Sequence, residues 1–200
     1  MREAVLLMGW AFGLGVLAQR AARRREIVLD STAFYWLGAT TVVAAVAAGS
    51  MQVKLSVLVA LLAIAVAAIV DSQTGYIFDP LVQAGAIGAL TIAALEGEAF
   101  QSLYGAVVAS VAVLCIWALT LGRGIGMGDV KLAAVVGAAF GPLGGIVAIG
   151  FSFVVGAAVA IPRIIARKAH FGTSIRFGPY LLAGSVCFLA YHRLSNGVIP

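Results

Sequence analysis

Two aspartates at the ends of apolar runs are the residues of this chain best placed to do chemistry. Only eight of the 200 side chains are acidic. Asp71 directly ends the run LLAIAVAAIVD, and Asp129 directly precedes the run VKLAAVVGAAF, within the stretch GRGIGMGDVKL of residues 122–132. A charged group that sinks into hydrocarbon costs about 2.5–3.5 kcal/mol at the membrane centre on insertion scales. Carboxyl groups at such positions therefore indicate a function.

Two carboxyl groups that meet can share one proton and activate a water molecule for attack on a peptide carbonyl. A negative charge is favoured at a helix N-terminus and disfavoured at a C-terminus. We therefore expect Asp129 to start as the general base and Asp71 as the general acid, although such a pair titrates as a unit. The structural alternative is that Asp129 is only the N-cap of the helix that follows it.

Gly126 and Gly128 flank Met127 immediately before Asp129. Glycine tolerates positive φ and allows another backbone to approach closely. A protease must hold its substrate extended against its own main chain, so these glycines are candidates for a substrate loop or hinge. The alternative is an ordinary flexible connection between two helices.

Asp79 and Lys131 are further candidates that could support the aspartate pair. Asp79 precedes Pro80, which also fits an N-cap followed by proline at the first helical position. The two cysteines and two histidines form no cluster with metal-ligand spacing, so we expect neither a metal site nor a cofactor.

Membrane helices must position these residues. The chain is 62% hydrophobic and only 10% charged, whereas about a quarter of a soluble domain is charged. Its apolar runs approach the length needed to cross a bilayer and lack the alternation of a membrane barrel. We predict an all-α, polytopic transmembrane bundle forming a single domain over residues 1–200. Its eight segments are 4–19, 33–50, 54–70, 80–95, 101–121, 130–140, 143–162 and 178–194, and the short sixth ends at Gly141-Pro142.

The distribution of basic residues predicts the orientation. With both termini outside, the cytoplasmic loops and adjoining helix starts hold ten Lys or Arg residues, against three on the outer side. This satisfies the positive-inside rule and accounts for the net charge of +5 without nucleic acid. We expect an N-out, C-out protein of the inner (plasma) membrane, surrounded by lipid, with both aspartates near the cytoplasmic face.

Three stretches resemble the type IV prepilin peptidases, which include the preflagellin peptidases. They are DSQTGYIFDPLV from Asp71, GMGDVKL from Gly126 and IRFGPYLLAG from Ile175. The likeness covers roughly residues 55–190. It implies an aspartic endopeptidase whose catalytic residues are Asp71 and Asp129. It also implies substrates that are prepilins or pilin-like secretion or archaellum subunits, cleaved at the cytoplasmic face behind a short basic leader.

The chain departs from that family in three places. Many bacterial members carry a cytoplasmic loop with paired Cys-x-x-Cys and also methylate the new N-terminus, whereas the loop RAARRREIVLDST has no cysteine. We therefore expect a minimal peptidase without methyltransferase activity. Phe78 and Arg176 each stand where the family has proline.

Other functions fit parts of the pattern. A presenilin-type protease also uses Gly-x-Gly-Asp, but its first aspartate follows tyrosine, and Val70 precedes Asp71 here. A proton-coupled transporter or channel subunit would place its acids near the membrane midplane. An assembly scaffold would need neither aspartate.

Overall fold

The computed structural model describes residues 2–25, 54–122, 124–165 and 176–196. These ranges form helices and contain no strand, so the all-α prediction is confirmed for them. The predicted segment 33–50 lies outside the described residues. The six helices are α1 (Arg2–Arg23), α2 (Leu55–Thr74), α3 (Asp79–Leu95), α4 (Ala99–Leu119), α5 (Met127–Ile165) and α6 (Gly178–Asn196).

Helix α2 lies at the centre of the bundle. It packs against α1, α3, α5 and α6, and most of its residues are buried. Its sequence is almost entirely Ala, Val, Leu and Ile on every side, as expected of a helix that is surrounded by protein. The helix that ends in Asp71 is therefore held on several sides.

Gly141 divides α5 into two limbs, residues 127–140 and 142–165. Its φ of 71° and ψ of −176° are not helical, and the positive φ favours glycine. Residues eight apart in a straight helix lie about 12 Å apart along its axis. A Cβ on Gly145 would nevertheless lie 2.9 Å from the Cα of Gly137. The limbs therefore fold back against each other, and the predicted break at Gly141-Pro142 is confirmed.

The helices run between two ends of the bundle. The aspartate end, as we call it, carries Asp71, Asp79 and Asp129. The opposite end carries Lys54 and Glu98, which form an ion pair between the residue before α2 and the residue before α4. Because α5 folds back, its second limb returns toward the aspartate end, where α6 begins.

By length and composition, three of the described helices are long and apolar enough to cross a membrane: α2, α4 and α5. The reversal at Gly141 divides the apolar stretch Met127–Pro162 of α5 between its two limbs. The apolar helix α3 is shorter. Large apolar side chains also face outward, with Leu95, Leu119 and Leu143 each more than 80% exposed. Outward-facing leucines on apolar helices are typical of a protein embedded in lipid.

Candidate active site

Asp71 lies in the last turn of α2 and is buried, with 4% of its surface exposed. The helix ends where Gly75 adopts the left-handed conformation, with φ 69° and ψ 14°. The Gly75 amide donates to the carbonyl oxygen of Asp71 at 2.8 Å, which is the usual glycine C-cap. The prediction that Asp71 stands at a helix C-terminus is confirmed.

The start of α6 holds the Asp71 carboxylate. The backbone amide of Gly178 donates to Asp71 Oδ2 at 2.9 Å. A Cβ on Gly178 would lie 2.8 Å from that oxygen and 3.0 Å from the Asp71 Cβ, closer than these atoms normally approach. Glycine at position 178 therefore provides both a hydrogen bond and the space that Asp71 occupies.

Asp129 lies in the first turn of α5 and is 7% exposed. The Gly126 amide donates to its Oδ2 at 3.0 Å, and the Asp129 amide donates to the Gly126 carbonyl at 3.1 Å. Asp129 is not the N-cap that the structural alternative supposed, because the helix already begins at Met127. Asp129 instead reaches back to the residue before the helix, as the third residue of a capping box does.

The two carboxyl groups come from different helices to one end of the bundle. Both are buried there. Each accepts a backbone hydrogen bond through Oδ2. Two carboxyl groups that are brought together in a protein interior can bind a water molecule and share a proton.

Gly126 and Gly128 do not adopt positive φ; among the described glycines, 75, 97, 122 and 141 do. The expectation that these glycines are needed for their backbone angle is therefore wrong. Close approach does apply at Gly128, where a Cβ would lie 3.0 Å from the Cβ of Ile77. A Cβ on Gly126 would lie 3.4 Å from Asp129 Oδ2, an ordinary contact.

Asp79 and Lys131 pair with each other, with Nζ and Oδ1 2.7 Å apart. Both side chains are about half exposed. Asp79 is the first residue of α3 and Phe78 is its N-cap, so the expectation of an Asp79 N-cap is wrong by one position. The pair ties the start of α3 to the start of α5, beside a largely apolar cleft of about 410 Å³ between α3, α4 and α5.

Two residues near Asp71 were not among the predicted site residues. Gly178 binds the carboxylate, and Arg176 donates from Nη1 to the Ser72 carbonyl. Both belong to the stretch IRFGPYLLAG. Its Gly-Pro pair at the start of an apolar helix is the sequence feature that could have indicated a site there. Their partners lie more than a hundred residues away along the chain.

The described residues contain no group of three or more His, Cys, Asp or Glu side chains that could hold a metal ion. The aspartate pair brings together two carboxyl groups and backbone amides. These groups can perform acid–base chemistry on a bound water molecule with the chain's own residues.

Comparison with known proteins identifies a family and a curated relative. The sequence profile of the type IV leader peptidase family matches residues 56–161, more than half of the chain. A prepilin leader peptidase/N-methyltransferase from Xanthomonas campestris pv. campestris is 35% identical over 125 residues, covering 60% of this chain and 43% of that protein. The chain thus spans less than half the length of this curated relative. No solved structure matches the chain at a significant level.

Proposed function

Because the chain belongs to the type IV leader peptidase family, we propose that it is an intramembrane aspartic endopeptidase that removes the leader from prepilins or pilin-like subunits. One observation carries this proposal. Two buried carboxyl groups, Asp71 at the end of α2 and Asp129 at the start of α5, lie at the same end of an apolar helical bundle. The proposal covers the peptidase activity alone, without N-methylation and without a cofactor.

In the proposed reaction the aspartate pair starts with one shared proton and one bound water molecule. One carboxylate takes a proton from the water as its oxygen attacks the scissile carbonyl. The other carboxyl group protonates the nitrogen of the leaving amine as the C–N bond breaks. The pair then holds one proton again and is ready for another water molecule.

The backbone amides orient this pair. Gly178 and Gly126 each fix one Oδ2, so each Oδ1 can face the water and the substrate. The Asp79–Lys131 ion pair supports the arrangement by joining the helix that follows the Asp71 turn to the helix that carries Asp129. The glycines at 126 and 128 lie where an extended substrate strand would approach Asp129.

We propose the same topology that the charges predict: about eight membrane segments, with both termini outside and the aspartate end at the cytoplasmic face of the inner membrane. Arg20, Arg24, Lys131 and Arg176 lie at the aspartate end, because α1 ends beside Phe78 there. Arg2 and Lys54 lie at the other end. This distribution follows the positive-inside rule. Cleavage there suits a substrate with a basic leader followed by an apolar helix, since the leader would remain in the cytoplasm.

Replacement of either aspartate tests the mechanism. Asp71→Asn and Asp129→Asn keep the shape of the side chain but cannot exchange a proton. Each should lower the rate of leader removal about 100- to 10,000-fold, while membrane insertion stays normal. The measurement is co-expression with candidate prepilins, scored by the leader-sized shift in electrophoretic mobility.

An exposed ion pair provides the matched control. Glu98→Gln also neutralises a carboxylate, in the exposed Lys54–Glu98 pair at the opposite end of the bundle, and it should retain the activity of the wild type. Normal processing by either Asp71→Asn or Asp129→Asn would reject the two-aspartate mechanism. It would leave a transporter or scaffold role to be tested next.

A further inference from the structure

Arg176 lies at the point where the last helix meets the turn that carries Asp71. Its guanidinium donates from Nη1 to the Ser72 carbonyl, one residue after Asp71. Its Nε lies beside Gly75, since a Cβ there would be 3.6 Å away. Arg176 therefore contacts the final turn of α2 and the glycine that ends it.

The last carbonyl groups of a helix lack partners within the helix. In α2 the Gly75 amide satisfies the Asp71 carbonyl, and Arg176 satisfies that of Ser72. The negative end of the helix dipole and the Asp71 carboxylate lie together here, and a guanidinium offsets both.

The neighbours of Arg176 give this contact its importance. Phe177 is buried and packs on Phe153, with ring centroids 4.9 Å apart. The next residue, Gly178, donates its amide to Asp71 Oδ2. Phe177 thus anchors this segment to the second limb of α5. On either side of it, Arg176 binds the main chain of the last turn of α2, and Gly178 binds the Asp71 carboxylate in the same turn.

We propose that Arg176 is a positioning residue for Asp71, which fixes the last turn of α2 so that the Gly178 amide and the Asp71 carboxylate stay in register. The inference rests on the proposed peptidase function for its catalytic consequence. The bridge itself is a property of the folded chain and can be tested without substrate.

The first measurement is amide hydrogen exchange on the purified, full-length protein. Arg176→Gln should raise the exchange of residues 71–78 and of the Gly178 amide at least about threefold, because the turn loses its second attachment. Arg176→Lys should restore most of the protection, since a single carbonyl needs only one donor and the charge is kept. Arg20→Gln removes a cation from the same end at an exposed position and should leave the exchange unchanged.

The second measurement is cleavage of a prepilin-like substrate by the same variants. Arg176→Gln should lower kcat about tenfold with KM within about twofold, because a displaced carboxylate affects the reaction more than binding. Arg176→Lys should recover most of kcat, and Arg20→Gln should match the wild type.

The two measurements separate the two proposals. If the wild type cleaves no candidate substrate, the peptidase proposal fails, and the exchange data still decide whether the bridge exists. Unchanged exchange in Arg176→Gln would overturn the bridge. If the wild type cleaves the substrate and Arg176→Gln has the same kcat, the positioning role is overturned.

Discussion

At the scale of single residues, each aspartate is held by a backbone amide, which is distant in sequence for Asp71 and local for Asp129. Asp71 accepts from Gly178, and Asp129 accepts from Gly126. A backbone donor has no side-chain freedom to lose and cannot titrate, so it orients a carboxylate without competing for its proton. The positions of residues 126 and 178 are therefore as important to the proposed site as the aspartates.

Replacement of Gly128 should affect the reaction, because a side chain there would crowd Ile77. A methyl group there would press on Ile77, 3.0 Å from its Cβ, and would shift the start of α5 by a few tenths of an ångström. Gly128→Ala should slow leader removal at least about threefold, because small displacements of a catalytic group are costly. The unfolding free energy should change by no more than about 1 kcal/mol.

The matched control is Gly150→Ala, since Gly150 lies in the same helix with nothing within 4 Å of its added Cβ. This variant should cleave at the wild-type rate. Gly126→Ala makes an ordinary contact with the Asp129 carboxylate and should have a smaller effect than Gly128→Ala. A wild-type rate for Gly128→Ala, measured beside these two, would show that the stretch is a passive connection.

At the scale of the helices, α4 and the first limb of α5 pack at very short range. A Cβ on Gly105 would lie 2.2 Å from the Gly137 carbonyl oxygen, and one on Gly137 would lie 2.1 Å from that of Gly105. Small residues at facing positions let helix backbones meet in this way in membranes. Ser102 adds a hydrogen bond to the Ala138 carbonyl at 2.8 Å.

This contact predicts a loss of stability that is separate from the site. Gly137→Ala should lower the unfolding free energy by about 1–3 kcal/mol, because the added methyl group meets backbone that cannot move aside. Gly13→Ala in α1, where nothing lies within 4 Å of the added Cβ, should not destabilise the protein. Thermal unfolding in detergent would measure both, and equal melting temperatures would show that the helices can separate at little cost.

At the scale of the whole molecule, the helices alternate in direction so that all three site acids share one end. This arrangement needs the reversal at Gly141, because an unbroken α5 would carry the start of α6 away from Asp71. The reversal returns the chain to the aspartate end, where Phe177 and Gly178 join the site.

The proposed topology predicts which end faces the cytoplasm. In a variant without Cys115 and Cys187, a cysteine at position 54 should react with a membrane-impermeant maleimide in intact cells. A cysteine at position 72 should react only after the membrane is opened. Both positions are exposed, so equal access is expected once the cells are broken. Labelling of position 72, and not position 54, in intact cells would reverse the orientation.

Local chemistry made much of this protein predictable from its sequence. Apolar runs, glycines and prolines indicated where the described helices begin and end to within a few residues, since a backbone in lipid must form helices. The break at Gly141-Pro142 followed from the residue types alone. Acidic residues are scarce in this chain, and a carboxyl group beside an apolar run costs free energy if it enters the membrane. Asp71 and Asp129 were therefore the acids for which a function was expected.

The tertiary structure decided what surrounds those carboxyl groups. The donors that hold Asp71 in place come from residues 176–178, more than a hundred positions along the chain. Helical periodicity carries no information about which distant amide will face a given oxygen. The same limit explains why an N-cap role stayed open for Asp79 and Asp129. The residue types placed the helix starts only to within a residue or two, and packing chose among those positions. The sequence thus determined which groups could react, whereas the fold-back of α5 and the docking of α6 determined how Asp71 is held, because those contacts depend on the whole bundle.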